Sequence, residues 1–379
     1  MKNTSPSSNS TREVALDLIR GLSAVLVLLG HLRAFQFIDY GDTTSPGLVE
    51  KLFYFSTSLG HQAVIIFFVL SGYFVGGSAL KSMNNGSWSW RVYLIKRLTR
   101  LWIVLLPALA LTAALDFYGS EVLSLSGYDG EQRDLLNSGP NQPDGADYSA
   151  LTLLGNILFL QKFYVPIFGT NTPLWSLAYE FAFYLIFPVG MQIVRSRSLK
   201  TTLYGIIALS IMAFVFPLSV WISFPIWLVG AIAFAAKSKI SRLSIIKPVR
   251  VGLAIASILT GLVVTKLNLV TGDHFLGFCT TVTLVMCIDM DLKLQWLRRF
   301  SIWLSEISYT LYVIHFPILC LYFFEQGTIE QSVLEPLSFL RFTTISLILC
   351  IVSWLFWWVF ERHTFRVQSF LIKQTAPQS

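Results

Sequence analysis

The sequence predicts an all-α polytopic membrane bundle of about ten transmembrane helices, with one further re-entrant or interfacial segment. Three observations carry that expectation. Hydrophobic residues make up 54% of the 379 positions and charged residues only 13%, about half the ~25% charged residues of a soluble domain. Apolar runs of roughly twenty residues recur, and at about 1.5 Å per residue each can cross a hydrocarbon core of about 30 Å. Inside lipid every backbone amide needs an internal partner, so such runs must be helical.

In chain order, residues 1–12 are rich in Ser, Asn and Thr and predict a disordered tail. The apolar stretch from Val14 to Phe37 carries Asp17, Arg20 and His31 and has no small-residue cleavage site, so we expect a retained first span rather than a signal peptide. Further spans are expected near 55–79, 101–118, 173–194, 202–219, 221–236, 251–270, 273–291, 301–324 and 338–360. Segment 151–163 is apolar but short. Counting it as a span would invert every later loop, so it is the re-entrant or interfacial piece.

Charge tests that order. With the N-terminus inside, most of the 28 basic residues fall in cytoplasmic segments, as the positive-inside rule requires. The loop at about 119–150 holds Glu121, Asp129, Glu131, Asp134, Asp144 and Asp147 against Arg133 alone, which suits the outside. An even number of spans returns the C-terminus to the cytoplasm. The expected layout is a membrane domain at 13–362 with an outer loop at about 119–172 and a cytoplasmic tail at 363–379. The net charge of +7 sits in short clusters between spans and forms no basic stripe, so membrane lipid is the expected partner and nucleic acid is not. Cys279, Cys287, Cys320 and Cys350 lie in apolar runs without CxxC spacing. They read as small buried hydrophobes, and neither a disulfide nor a metal site is expected.

Ionisable groups inside spans are costly and mark function by default. Along the first helix, His31 falls within about 20° of Arg20 and about 40° of Asp17, and about 16 Å beyond Arg20. Asp17 and Arg20 are spaced to pair, and a histidine can take and return a proton near neutral pH. FFVLSGYFVGG places Ser71, Gly72, Gly76 and Gly77 where another helix or a ligand can approach closely. KRLTRLW sets Arg97 and Arg100 on one face at the cytoplasmic boundary, a fork suited to phosphate, although orientation alone would also account for it. NTPLWSLAYEFAFYL holds Glu180 near the outer side, with Tyr184 one turn on and Trp175 at its start; ISYTLYVIHFPI aligns Ser308, Tyr312 and His315. Such groups fit acyl or proton transfer and equally a proton-coupled transporter or flippase. Spacing alone does not separate the two.

Five of these segments together resemble the membrane acyltransferase-3 family. Arg20 and His31 match its Arg-x10-His element, FFVLSGYF its Phe-Phe-x-x-Ser-Gly segment, and RLTRLW its Arg-x-x-Arg element. WSLAYEFAFYL and ISYTLYVIHFPI match its Trp-Ser-Leu-x-x-Glu and late Ser-Tyr-x-x-Tyr-x-x-His-x-Pro elements. After the last span the family often has Glu-Lys/Arg-Pro, whereas here Glu361-Arg362 is followed by His363. The resemblance implies a bacterial inner-membrane enzyme with both termini cytoplasmic. It would transfer an acyl group, most often acetyl, from cytoplasmic acyl-CoA to a hydroxyl of a surface carbohydrate or glycolipid, with no bound cofactor. It further implies His31 as catalytic base or acyl carrier, Arg20 and Asp17 as supports, and Glu180 beside His31 in the outer half. Arg97, Arg100 and Ser71 would hold the CoA donor. His315, Tyr312, Tyr184 and Trp175 would bind the acceptor or complete a relay. About twenty polar residues follow the last span, so transfer is expected to finish within the bundle or on a separate protein.

Overall fold

A computed structural model describes residues 13–130, 145–240, 245–269, 272–288, 290, 294–327 and 329–375. The expected tail at 1–12 and residues 131–144 of the outer loop lie outside them. Among the described residues the chain is predominantly helical, with isolated bridges but no sheet. The order is α1 (Val14–Gln36), α2 (Leu48–Thr57), α3 (Gly60–Ser71), α4 (Gly77–Asn84), α5 (Trp90–Phe117), α6 (Ala150–Ile157), α7 (Trp175–Arg195) and α8 (Leu199–Val215). Then follow α9 (Leu218–Ile240), α10 (Lys247–Lys266), α11 (Asp273–Cys287), α12 (Gln295–Phe324), α13 (Pro336–Val359) and α14 (Thr364–Gln374). A wide turn at Gly72–Gly76 joins α3 to α4 as one continuous rod.

Eight helical stretches are long and apolar enough to cross a membrane, and α8 and α11 are shorter apolar helices of 17 and 15 residues. Together they fall where the ten spans are expected. Boundaries differ for local reasons. α5 begins eleven positions before the apolar run, because the Ser89 hydroxyl accepts from Val92 N and starts the helix ahead of its charged first turns. α6 has eight residues, about 12 Å of rise, too short to cross. Its chain then reverses, held by Asn156, which donates to the Pro166 carbonyl at 2.9 Å and accepts from Phe168 N at 3.1 Å. At its start the half-buried Asp147 accepts from Ser149 N and Thr152 Oγ1, which holds its carboxyl below the usual range. The expected tail from 363 instead contains α14, docked on α5 through Gln368 Nε2 donating to the Lys96 carbonyl at 3.1 Å.

The core is α12 against α1, with α3, α5 and α7 around them. α12 is buried over most of its length, whereas α8 buries no residue; large apolar side chains on α8, α10 and α13 face outward, as lipid-facing helices require. Small residues allow the closest crossings. A Cβ on Gly72 would collide with the Trp227 carbonyl on α9, and one on Gly230 with the Val69 carbonyl on α3; Gly76 meets Ala231 and Trp227 in the same way. The predicted reason for those glycines, close helix approach, is met at α9.

Candidate active site

Two cavities enter the bundle from opposite ends. The first, about 240 Å³, is lined by Arg20, Lys96, Arg97, Arg100, Ser71 and Glu180, with Val64, Phe67 and Phe68 along its apolar wall; we call it the arginine cavity. Gly21 lets α12 press against α1 at Leu304, so the neighbouring Arg20 is left to face this space. Glu180 is held by three elements at once. Ser71 Oγ and Tyr184 OH donate to its Oε1 at 2.6 and 2.5 Å, and Trp227 Nε1 donates to Ser71 Oγ at 3.1 Å. A second acid stands behind the cavity: Glu361, with 1% of its side chain exposed, forms an ion pair with Arg100 at 2.5 Å and accepts from Thr310 Oγ1 at 2.5 Å. Arg97 lies over the Tyr93 ring, and its Nε is buried without a hydrogen-bond partner among the described residues.

The second cavity, about 280 Å³, is lined by His31, Arg33, His61, Trp175, Pro173 and Lys266; we call it the histidine cavity. His31 approaches His315 with 2.8 Å between Nδ1 and Nε2, their rings within 13° of parallel, while Phe316 packs edge-on against His31 at 5.0 Å. His315 Nδ1 lies 2.7 Å from the Leu311 carbonyl. A carbonyl only accepts, so His315 Nδ1 carries the proton, and its Nε2 accepts from His31 Nδ1–H. This assignment follows from the hydrogen-bond chain. It leaves His31 Nε2 with a free lone pair, the form a general base needs.

Val64 and Tyr312 line both cavities and form the partition between them. The Tyr312 hydroxyl bonds to the Pro173 carbonyl at 2.8 Å and to Ser176 Oγ at 2.7 Å. Pro173 is set in turn by Asn171, whose amide donates to the Val313 carbonyl at 2.8 Å and to Thr112 Oγ1 at 3.0 Å.

The structure places Arg97, Arg100 and Ser71 on one cavity with Arg20, which was expected beside His31, and His31 and Trp175 on the other, with Tyr312 on both. Other placements differ. Glu180 and Tyr184 line the arginine cavity and not the histidine cavity, because α7 starts at Trp175 and five residues carry Glu180 about 8 Å further along the axis. His315 is 0% exposed, so it lies behind His31 and cannot touch an acceptor. Asp17 lines neither cavity; it accepts from Ser305 Oγ at 2.9 Å and ties α1 to α12. Arg100 is already paired. Its partner Glu361 was visible as the first residue of Glu361-Arg362, but nothing in the spacing said that it folds back under α12. Ser176, next to Trp175, was likewise a member of a quoted element with no role attached.

Comparisons with known proteins point to one family. Residues 13–358 match the acyltransferase domain of the acyltransferase-3 family. The chain is similar to "Acyltransferase MdmB" of Streptomyces mycarofaciens, 28% identical over 181 residues, which cover 47% of this chain and 38% of the relative. It is also similar to "Putative peptidoglycan O-acetyltransferase YrhL" of Bacillus subtilis (strain 168), 32% identical over 160 residues, or 40% of this chain and 23% of the relative. The matched stretch thus spans less than half the length of each relative. No solved structure matches. With its family elements lining two cavities of one helical bundle, the chain belongs to the acyltransferase-3 family of membrane proteins.

Proposed function

We propose that the protein is a membrane O-acyltransferase that moves an acyl group, most simply acetyl, from acyl-CoA to a hydroxyl of a surface or lipid-linked carbohydrate. It would act in a bacterial inner membrane with both termini cytoplasmic, so that the arginine cavity faces the cytoplasm and the histidine cavity the outside. The observation that carries the reading is the pair of cavities divided by Tyr312, with His31 on the far side presenting Nε2. In the arginine cavity, Arg97 and Lys96 would meet CoA phosphates while the thioester arm follows the apolar wall of Val64, Phe67 and Phe68 toward Tyr312.

His31 Nε2 would then take the proton of the acceptor hydroxyl as that oxygen attacks the thioester carbon. The new C–O bond forms, the C–S bond breaks, and the proton passes from His31 to the departing CoA sulfur. Arg20, in the arginine cavity, would help hold the donor there, with Glu180 keeping the local arginines in register. The relatives named as an acyltransferase and a peptidoglycan O-acetyltransferase support the reaction class.

The test is mass spectrometry of surface polysaccharide and glycolipid from cells lacking the gene, cells restored with the wild type, and cells restored with His31→Ala. Loss of the mass of one acetyl group, regained only with the wild type, is expected. An unchanged mass with an altered amount or location of the glycan would sink the transferase and favour a transporter, since two cavities divided by a thin partition of Val64 and Tyr312 also suit alternating access.

A further inference from the structure

We propose that the histidine cavity holds an anion subsite, built by Arg33 and Lys266 beside His31, and that the acceptor therefore bears a carboxylate or phosphate group next to the hydroxyl that is acylated. The assignment of that anion to an acceptor rests on the acyltransferase reading; the binding itself does not.

The lining of this cavity includes Arg33, Lys266, His31 and His61 and, among the described residues, no Asp or Glu. The cations there are weakly answered by the protein. Arg33 is 13% exposed, and its Nη1 reaches Asp39 Oδ1 only at 3.4 Å, on a carboxylate that is itself half in solvent; that is beyond the usual N–H···O range. Its Nε is buried with no hydrogen-bond partner among the described residues. The guanidinium is nevertheless oriented: it lies 5.7 Å from the centroid of the Tyr54 ring, and Tyr54 is anchored by its hydroxyl donating to the Ile38 carbonyl at 2.9 Å. Lys266 Nζ donates to the Ser58 carbonyl at 3.3 Å. The other cation-forming side chain of the lining, His61, already has an acid: its Nε2 lies 2.8 Å from Asp273 Oδ1.

A partly desolvated guanidinium answered only by a long contact to a half-exposed acid is incompletely compensated, and an anion in the cavity would satisfy its buried Nε edge. Arginine presents a planar fork that matches the two oxygens of a carboxylate or phosphate, and Lys266 adds a point charge across the opening. The CoA phosphates do not account for this pair. Arg33 lies thirteen residues beyond Arg20, about 20 Å along α1, at the end away from the arginine cavity. A neutral sugar would leave both cations as they are, whereas an acidic sugar, or a saccharide carrying phosphate, would be held with a neighbouring hydroxyl near His31.

The experiment measures binding of three probes to the full chain in phosphatidylcholine nanodiscs by equilibrium dialysis: methyl glucoside, methyl glucuronide and glucose 1-phosphate. At least one anionic probe should bind tenfold or more tightly than the glucoside, and the better of the two decides between carboxylate and phosphate. That preference should fall toward one in Arg33→Gln and in Lys266→Gln and survive in Lys266→Arg, which controls for folding. Equal binding of the three probes, or an anion preference unchanged in both Gln variants, would overturn the proposal. Repeating the dialysis in nanodiscs containing phosphatidylglycerol identifies a lipid occupant; if anionic lipid displaces the anionic probes, the acceptor assignment is overturned. Acetyl transfer from acetyl-CoA, followed on the same preparations, reads the other question separately. Anion binding without transfer to any hydroxyl would sink the acyltransferase reading and leave the subsite standing, and transfer without anion preference would do the reverse.

Discussion

The arginine and histidine cavities are similar in volume and differ in how their charges are held. In the first, acids are built into the wall: Glu180 is fixed by Ser71 and Tyr184, and Glu361 is paired with Arg100 behind it. In the second, no acid lines the wall among the described residues, and the central group is a histidine steadied by another histidine. A site that carries its own counter-charges keeps its cations in place before a ligand arrives; a site without them leaves its charge to be completed by the ligand. Under the proposed reaction the difference would give positioning to one cavity and proton transfer to the other.

Five substitutions break or sharpen that contrast, in falling order of effect. His31→Ala removes the base, and transfer should drop about a thousandfold, within the 10²–10⁴ range of general base catalysis, while membrane insertion and acyl-CoA binding persist; single-turnover measurement with radiolabelled acyl-CoA decides it, and retained turnover would remove His31 from the chemistry. His315→Ala should lower kcat about a hundredfold and leave the donor KM where it was, because only the tautomer and ring position of His31 are lost. An equal rise in donor KM would mean that His315 acts through packing.

In the arginine cavity the effects should divide. Arg97→Ala should raise the donor KM about tenfold with kcat nearly unchanged. Arg100→Ala should mainly lower stability, by roughly 2 kcal/mol, since it strands the buried Glu361 carboxylate, and Arg100→Ala combined with Glu361→Gln should recover much of that loss in a detergent melting experiment. If Arg100→Ala alone raises KM without lowering the melting temperature, Arg100 is a phosphate ligand after all. The smallest change belongs to the partition. Tyr312→Phe loses hydrogen bonds worth about 1 kcal/mol each, so kcat/KM should fall about fivefold, and it should do so for donor and acceptor alike because Tyr312 faces both cavities. An effect on one substrate only would show that the partition belongs to a single cavity.

Much of this site was legible along the chain, and the reason is helical geometry. Arg20 and His31 lie on one rod, so eleven residues set both their shared face and their separation, and they do end in different cavities at opposite ends of α1. The depth of Glu180 was not legible, because it depends on where α7 begins, and that is set by the turn Thr172–Leu174 and the Asn171 bonds to α5 and α12. His315 looked like a ligand-facing residue because Ser308, Tyr312 and His315 share a stripe. On a helix buried on nearly every side, a stripe does not tell cavity from protein interior.

By itself the sequence determined the membrane class, the approximate spans, the basic fork at Arg97 and Arg100 and the axial position of His31, all of which follow from local periodicity and from the cost of charge in lipid. The tertiary structure decided which polar groups meet. Contacts such as His31 with His315, 284 residues apart, or Arg100 with Glu361 depend on which helices are neighbours. That choice is made by close approaches like Gly72 against Trp227 and Gly21 against Leu304, where the absence of a side chain on one helix lets another come near.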